Sequence, residues 1–444
     1  MEKNNGLMIK GNIWKQLVIF AIPLLIGNLF QQLYNTVDSV VVGNFIGDQA
    51  LAAVNSSGPI IDMLVSFFTG LSLGSGVLIS NYYGGQDRQG VFCSVHTAMA
   101  LGIVFSLFAT IVGIIFTPSI LTLVKVDPSV INQSIVYLRL YFLGVSGLII
   151  YNMVSGILRA VGDSRHPLYF LIVSSFINVV LDLLFVIVFK MGIAGVAIAT
   201  SIAQVASAIL SIYILITTVE IYRLQPRKIR FYWNFLKRTI EIGLPSALQN
   251  AVVSFSNIIM QTNINVFGAY AMAGSGSYTK IDGFVILPVI SMSMALTTFV
   301  GQNKGANNYQ RIKKGARTGI LISCGIIVVL SVGIIFTTPY LLHFFSSNTE
   351  VINYGLIMMK CLVPGYIFLT LSQAICGILR GVGKTKIPMI VLIGCWCLFR
   401  VLWVMITVRL FHNIVYVNLG WPVSWVLSTI ILLVYYYKVD WIKD

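Results

Sequence analysis

Twelve long apolar segments leave this chain few ways to fold: about 15–42, 51–80, 92–117, 130–158, 168–190, 193–217, 238–266, 272–301, 316–338, 351–378, 388–411 and 415–437. At a rise of about 1.5 Å per residue, each is long enough to cross roughly 30 Å of hydrocarbon as a helix, some with tilt. The expected fold is an all-α polytopic membrane protein. Composition agrees, with 57% hydrophobic residues, 10% charged residues and a mean hydropathy of +0.89; in soluble domains about a quarter of residues are charged. The first segment outruns a signal peptide's core and precedes no small-residue cleavage site, so it is expected to stay as a helix.

A net charge of +15 would suggest nucleic acid in a soluble protein, but here its distribution points to a bilayer. Of 29 Lys and Arg, 22 fall in the termini and even-numbered loops, and about five on the opposite face (Lys125, Arg139, Lys190, Lys360, Arg409). Lys280 and Arg400 lie inside helices. Basic loops stay in the cytoplasm, so both termini are expected there, in a multi-pass protein of the cytoplasmic membrane. The loop near 218–237 is the most basic stretch and reads as a solvated linker or an amphipathic helix on anionic headgroups. Six cysteines lie on or beside the spans, which argues against a disulfide framework. Cys395 and Cys397, two apart, point to different helix faces and read as packing residues.

The chain repeats itself. Lys15–Pro23 (KQLVIFAIP) is similar to Lys237–Pro245 (KRTIEIGLP) at an offset of 222, and Asn28 and Asn35 recur as Asn250 and Asn257. Asn44–Ala52 matches Asn265–Ala273 at 221, and the GILR of Gly156–Arg159 returns letter for letter at Gly377–Arg380. Two lobes are expected, 1–220 and 221–444, of six helices each and of the same orientation. Such parallel repeats suit a transporter whose halves rock about a central substrate site.

Polar residues inside the spans are the candidates for function. Asn28, Gln31, Asn35 and Asp38 form one stripe on the first helix. A carboxylate at membrane depth is costly and is read first as lining an aqueous cavity. Asp182 lies on the fifth helix, with Asn178 one turn before it, and Thr200 lies on the sixth. Two carboxylates with amide and hydroxyl oxygens suit a small hard cation such as Na+, and carboxylates in a low dielectric also carry protons. The residues leave that choice open. In the second half the stripe recurs as Asn250, Ser254, Asn257 and Gln261, but Asp38 becomes Met260 and Asp182 becomes Trp403. Coupling chemistry is therefore expected in the first lobe. Lys280 and Asp282, two apart, make a poor mutual pair.

The stretch Pro23–Val54, with QQLYNTVDSVVVGNFIGDQALAAV at its core, resembles the first helix and loop of the multidrug and toxic compound extrusion (MATE) family. The turn Asn81–Asp87 with its partner Gln302–Asn308, the paired GILR segments and the twelve-helix repeat extend the resemblance over essentially the whole chain. It implies a V-shaped pair of six-helix lobes around a central cavity. It also implies the branch with an N-lobe cation site, carried by Asp38, Asn178, Asp182 and Thr200. Another branch has a glutamate eight residues after the seventh-helix proline; here that position is Val253.

The expected function is secondary antiport: export of organic, cationic or amphiphilic compounds in exchange for H+ or Na+, with flipping of a lipid-linked saccharide as the alternative. Gln31, Tyr34, Asn35, Asn257, Gln261, Lys280, Asp282 and Arg400 are the candidate cavity residues. A monomer is expected, acting without ATP, cofactor, enzymatic step or nucleic-acid partner. Gly381-Val-Gly383-Lys384-Thr385 mimics the end of a phosphate-binding loop, but Ile378 stands where that motif needs glycine.

Overall fold

A computed structural model describes residues 7–124 and 126–441. Lys3, Lys125 and Lys443 lie outside them, as do the two chain ends whose cytoplasmic placement was expected. Among the described residues there is no strand, and twelve long helices follow one another: α1 Ile13–Phe45, α2 Asp48–Gly84, α3 Arg88–Leu123, α4 Ile131–Ala160, α5 Arg165–Val188, α6 Ile193–Thr217, α7 Trp233–Asn265, α8 Ala269–Gly305, α9 Tyr309–Phe345, α10 Thr349–Gly381, α11 Lys386–Phe411 and α12 Ile414–Lys438. Most overrun the apolar segments by several residues, because hydropathy marks only the hydrocarbon-deep part of a helix. Eleven are long and apolar enough to cross a membrane. The exception is α7, whose early turns carry Lys237, Arg238 and Glu241.

The internal repeat is written into the backbone as well as the letters. α2 and α8 each start after a glycine that leaves the usual region, Gly47 at φ +114° and Gly268 at φ +93°. Side chains rarely adopt that conformation, so the sharp α1–α2 and α7–α8 corners call for glycine. Gln86 and Asn307 take φ +54° and +53° at equivalent turns. The next helices are capped alike: Asp87 accepts from Gly90 N at 2.9 Å and Asn308 from Arg311 N at 3.3 Å. Ser72 Oγ donates to Asn152 O at 2.5 Å, and its counterpart Ser293 donates to Gln373 O at 2.7 Å. Each half thus pins its second helix to its fourth with the same bond.

The chain forms two compact units, residues 23–247 and residues 7–22 with 248–441. The division expected at 220/221 is therefore displaced, and the first turns of α1 belong to the second unit. Two sets of contacts cause this. In the first unit the start of α7 lies tight on α2: a Cβ on Gly70 would meet Ala247 Cα at 2.6 Å, and Arg238 NH1 donates to Tyr82 OH at 2.9 Å. In the second, Met8 N donates to Gln302 Oε1 at 2.7 Å, and Arg311 NH2 to Gln16 Oε1 at 2.7 Å.

The basic linker is not the amphipathic helix that its composition allowed. Apart from one 3-10 turn, Pro226–Lys228, residues 218–232 are irregular. They lie along α3, with Gln225 N donating to His96 Nε2 at 3.0 Å, Tyr232 N donating to Thr97 Oγ1 at 3.3 Å and Leu224 buried. Pro226 lacks an N–H, and buried acceptors on α3 take the backbone donors that a helix would have used. All six cysteines are free.

Candidate functional site

In the first unit, α1, α5 and α6 converge on one polar spot surrounded by apolar side chains. Asp38 (8% exposed), Asn178, Asp182 (0%) and Thr200 are all buried there. The four residues singled out from the sequence are thus brought together. Asn178 Nδ2 donates to Thr200 Oγ1 at 3.4 Å, and Thr200 Oγ1 donates back to Val196 O at 3.0 Å. The carboxyls of Asp38 and Asp182 adjoin one another. On the same helices Val41, Val42, Val186 and Val196 join Ala50 and Ala53 in one buried apolar cluster.

The accounting of hydrogen bonds is unusual. With both carboxyls ionised, Asp38 Oδ1, Asn178 Oδ1 and both carboxyl oxygens of Asp182 are buried without a donor among the described residues; a proton on either carboxyl lets it donate to the other. Buried acceptors are nearly always satisfied, because desolvating one without a partner costs about 1–3 kcal/mol and more for a charge. Two adjoining carboxylates in a low dielectric also repel, so an extra positive charge between them is favourable. Two adjoining carboxyls with amide and hydroxyl oxygens beside them fit a small hard cation or a shared proton. No cluster of three His, Cys, Asp or Glu occurs among the described residues, so the donor set is completed by amide and hydroxyl oxygen.

Local backbone explains how the spot is held. α5 passes into a π turn, Leu184–Val188, just past Asp182 and Leu183. A wider turn rotates the following residues relative to an α-helix, and such turns often accompany functional sites. α6 is pulled onto α4 by glycine: a Cβ on Gly147 would fall 2.6 Å from the Gln204 carbonyl carbon. Ser201 Oγ donates to Leu140 O at 2.9 Å and Gln204 Nε2 to Tyr141 OH at 3.2 Å across the same seam. Tyr137 of α4, buried beside Asp38 and Asp182, was missed from the sequence. The four-residue spacing of Tyr137 and Tyr141 on one helix face was the available signal.

The other sequence-selected residues are more dispersed. On α1, Gln31 and Tyr34 are half-buried and Asn35 is exposed. In the second unit Asp282 is buried and accepts from Tyr366 OH, whose oxygen also pairs with Tyr278 OH at 2.7 Å. Tyr366 was not foreseen. Lys280 is exposed, with Nζ 5.7 Å from the Phe345 ring, and is not joined to that network. Gln261 Nε2 donates to Asn265 Oδ1 at 3.0 Å. Arg400 and Asn257 do meet, NH1 donating to Oδ1 at 3.3 Å.

The MatE family model matches residues 23–184 and 245–406. The two matches begin at Pro23 and Pro245, 222 residues apart, which is the period of the repeat. "Probable multidrug resistance protein YpnP" of Bacillus subtilis (strain 168) is 28% identical over 390 residues, covering 88% of this chain and 87% of that one. "Probable multidrug resistance protein YoeA" of the same organism is 29% identical over 448 residues, covering 98% and 95%. Among solved structures, a MOP superfamily transporter from Pyrococcus furiosus Vc1 (DSM3638) shares the fold at a TM-score of 0.91, with 21% identity and 100% of both chains covered. Sequence and fold agree that the chain belongs to the MatE family, a family of multi-span membrane transporters and not of enzymes.

Proposed function

We propose that the chain is a secondary antiporter of the cytoplasmic membrane that exports organic, cationic or amphiphilic compounds in exchange for inward H+ or Na+, with the ion held by Asp38, Asn178, Asp182 and Thr200. The observation that carries this is the set of four buried oxygens that, with both carboxyls ionised, lack donors. An ion or proton there satisfies the lone pairs and relieves the repulsion between the carboxylates; its departure restores both costs. Occupancy is thereby coupled to how α1, α5 and α6 pack. The multidrug names of the relatives support the cargo class, and the basic bias of the even-numbered loops supports cytoplasmic termini. The protein acts as a monomer and draws its energy from the ion gradient instead of ATP.

The test is transport in proteoliposomes with Na+ and H+ gradients imposed separately. Export of a fluorescent cationic dye driven by one gradient, and lost in Asp38→Asn and Asp182→Asn, is expected. Dye movement indifferent to both gradients would overturn the antiporter reading; movement that both variants retain would remove the ion from these residues.

A further inference from the structure

In the second unit α7, α11 and α12 occupy the places that α1, α5 and α6 occupy in the first, yet the charge buried between them has the opposite sign. Arg400 of α11 is 1% exposed. Its Nε and NH2 donate to Ser424 Oγ of α12 at 3.0 and 2.8 Å, and NH1 donates to Asn257 Oδ1 of α7 at 3.3 Å. The guanidinium carbon lies 5.5 Å from the Trp396 ring and 5.9 Å from the Trp421 ring. A seven-residue π stretch, Ile393–Phe399, ends directly before it.

All these partners are neutral. A guanidinium stays charged and has five N–H donors. Among the described residues the sole ion pair is His166–Asp163, so Arg400 has no carboxylate within 4 Å. Asp282, the buried acid of this unit, is engaged by Tyr366. An ionised side chain at membrane depth without a counter-charge is costly and marks a site that some other group completes. Asn257, which accepts from NH1, is itself exposed. With its carboxyls ionised, the first unit's corner holds acceptors without donors; this one holds a cation without an anion.

We propose that the α7–α11–α12 corner is an oxyanion site, in which Arg400 binds the phosphate or carboxylate group of an amphiphilic cargo and Trp396 and Trp421 supply flat walls beside it. This rests on the reading that the chain exports amphiphilic compounds and adds the headgroup chemistry. A purely structural Arg400, tying α11 to α12 and α7, would bind no such anion.

The test is equilibrium binding, without a gradient, to the full chain in phosphatidylcholine nanodiscs. Dodecyl phosphate, dodecanoate, inorganic phosphate and dodecyltrimethylammonium are titrated and followed by calorimetry and tryptophan fluorescence. Saturable binding of both dodecyl anions is expected, weakened at least tenfold in Arg400→Gln and within about threefold of the original in Arg400→Lys. Equal affinities for dodecyl phosphate and inorganic phosphate would overturn the amphiphile, and unchanged binding in a folded Arg400→Gln would overturn the site, as would preference for the ammonium. Should Arg400→Gln fail to fold, Asn257→Asp decides: its built-in carboxylate should pair with Arg400, raise the unfolding midpoint and abolish anion binding. Unaltered binding in Asn257→Asp would overturn the site. Asp38→Asn is expected to bind these probes normally, so failure of the ion site and failure of the oxyanion site are read separately.

Discussion

Met260 and Trp403 close on Gly420 from two helices: a Cβ there would meet Met260 Cε at 3.2 Å and Trp403 Cδ1 at 3.3 Å. These two residues stand where Asp38 and Asp182 stand in the first half. Met260 is fully buried in a cluster with Ile264, Ala271, Val404, Ile414 and Val417, and Trp403 packs against it. At these two positions the repeat has replaced carboxylates with apolar core. Restoring the acid with Met260→Asp should therefore not create a second ion site. It should cost about 3–5 kcal/mol, the penalty typical of an uncompensated buried charge. Met260→Leu should cost less than about 1.5 kcal/mol. Thermal unfolding in detergent reads both, and a folded Met260→Asp of undiminished midpoint would show that the cluster admits water or a counter-ion.

The opposite outcome is expected in the first unit. Asp38→Asn or Asp182→Asn removes one of two adjoining buried carboxylates and leaves an amide of the same shape. Neither variant should lower the unfolding midpoint by more than a few degrees, yet each should reduce gradient-driven export more than tenfold. The two should also lose any Na+-dependent rise in midpoint, since a ligand that binds only the folded state stabilises it in proportion to its occupancy. Collapse of the fold in both variants would assign these carboxylates to stability instead.

Much of this was legible in the letters because membrane depth makes polar residues informative. Asp38, Asn178, Asp182 and Thr200 stand out in apolar runs, and helical spacing put Asn178 and Asp182 on one face. The loss of both acids at Met260 and Trp403 could likewise be read from the repeat. Other features depend on tertiary contacts and carried no such signal. The crossing of residues 7–22 and 221–247 between units depends on Met8, Gln16, Arg238 and the glycines of α2 finding partners far along the chain. The two π turns shift the helical phase, so periodicity counted at 3.6 residues fails across Leu184–Val188 and Ile393–Phe399. Tyr137 and Tyr366 passed unnoticed because tyrosine is abundant in this chain.

Gly147 tests how closely the ion site depends on the α4–α6 seam. A Cβ at this position would lie 2.6 Å from both the Gln204 carbonyl carbon and the Val205 nitrogen, and backbone cannot swing aside as a side chain can. Gly147→Val should thus push α6 away and cost at least about 1–3 kcal/mol through overpacking. Thr200 sits one turn before Gln204, so ion-dependent stabilisation should be lost along with the midpoint. Gly276, which lies inside α8 and has open space around the position of its Cβ, is the control: Gly276→Ala should not lower the midpoint, because alanine favours the helix. Equal behaviour of the two variants would remove close approach as the reason for Gly147.

The linker supplies a test of orientation and of tertiary restraint together. His96 Nδ1 lies 2.7 Å from Phe92 O, and a carbonyl only accepts, so Nδ1 carries the proton and donates. That leaves Nε2 as the acceptor for Gln225 N. Replacing His96 with Phe removes the acceptor while keeping a flat ring against Phe92, and the strap should then open locally more often. Arg227 and Lys228, exposed in the 3-10 turn next to Gln225, are trypsin sites that report the opening. Cleavage there should be slow in the parent and several-fold faster in His96→Phe, because proteolysis of a briefly opened segment follows the population of the open form. It should occur only in inside-out vesicles, since the proposed orientation puts this loop in the cytoplasm. Cutting from the outside of intact cells would reverse the topology and with it the direction of transport. Equal rates in parent and variant would mean that His96 does not restrain the linker.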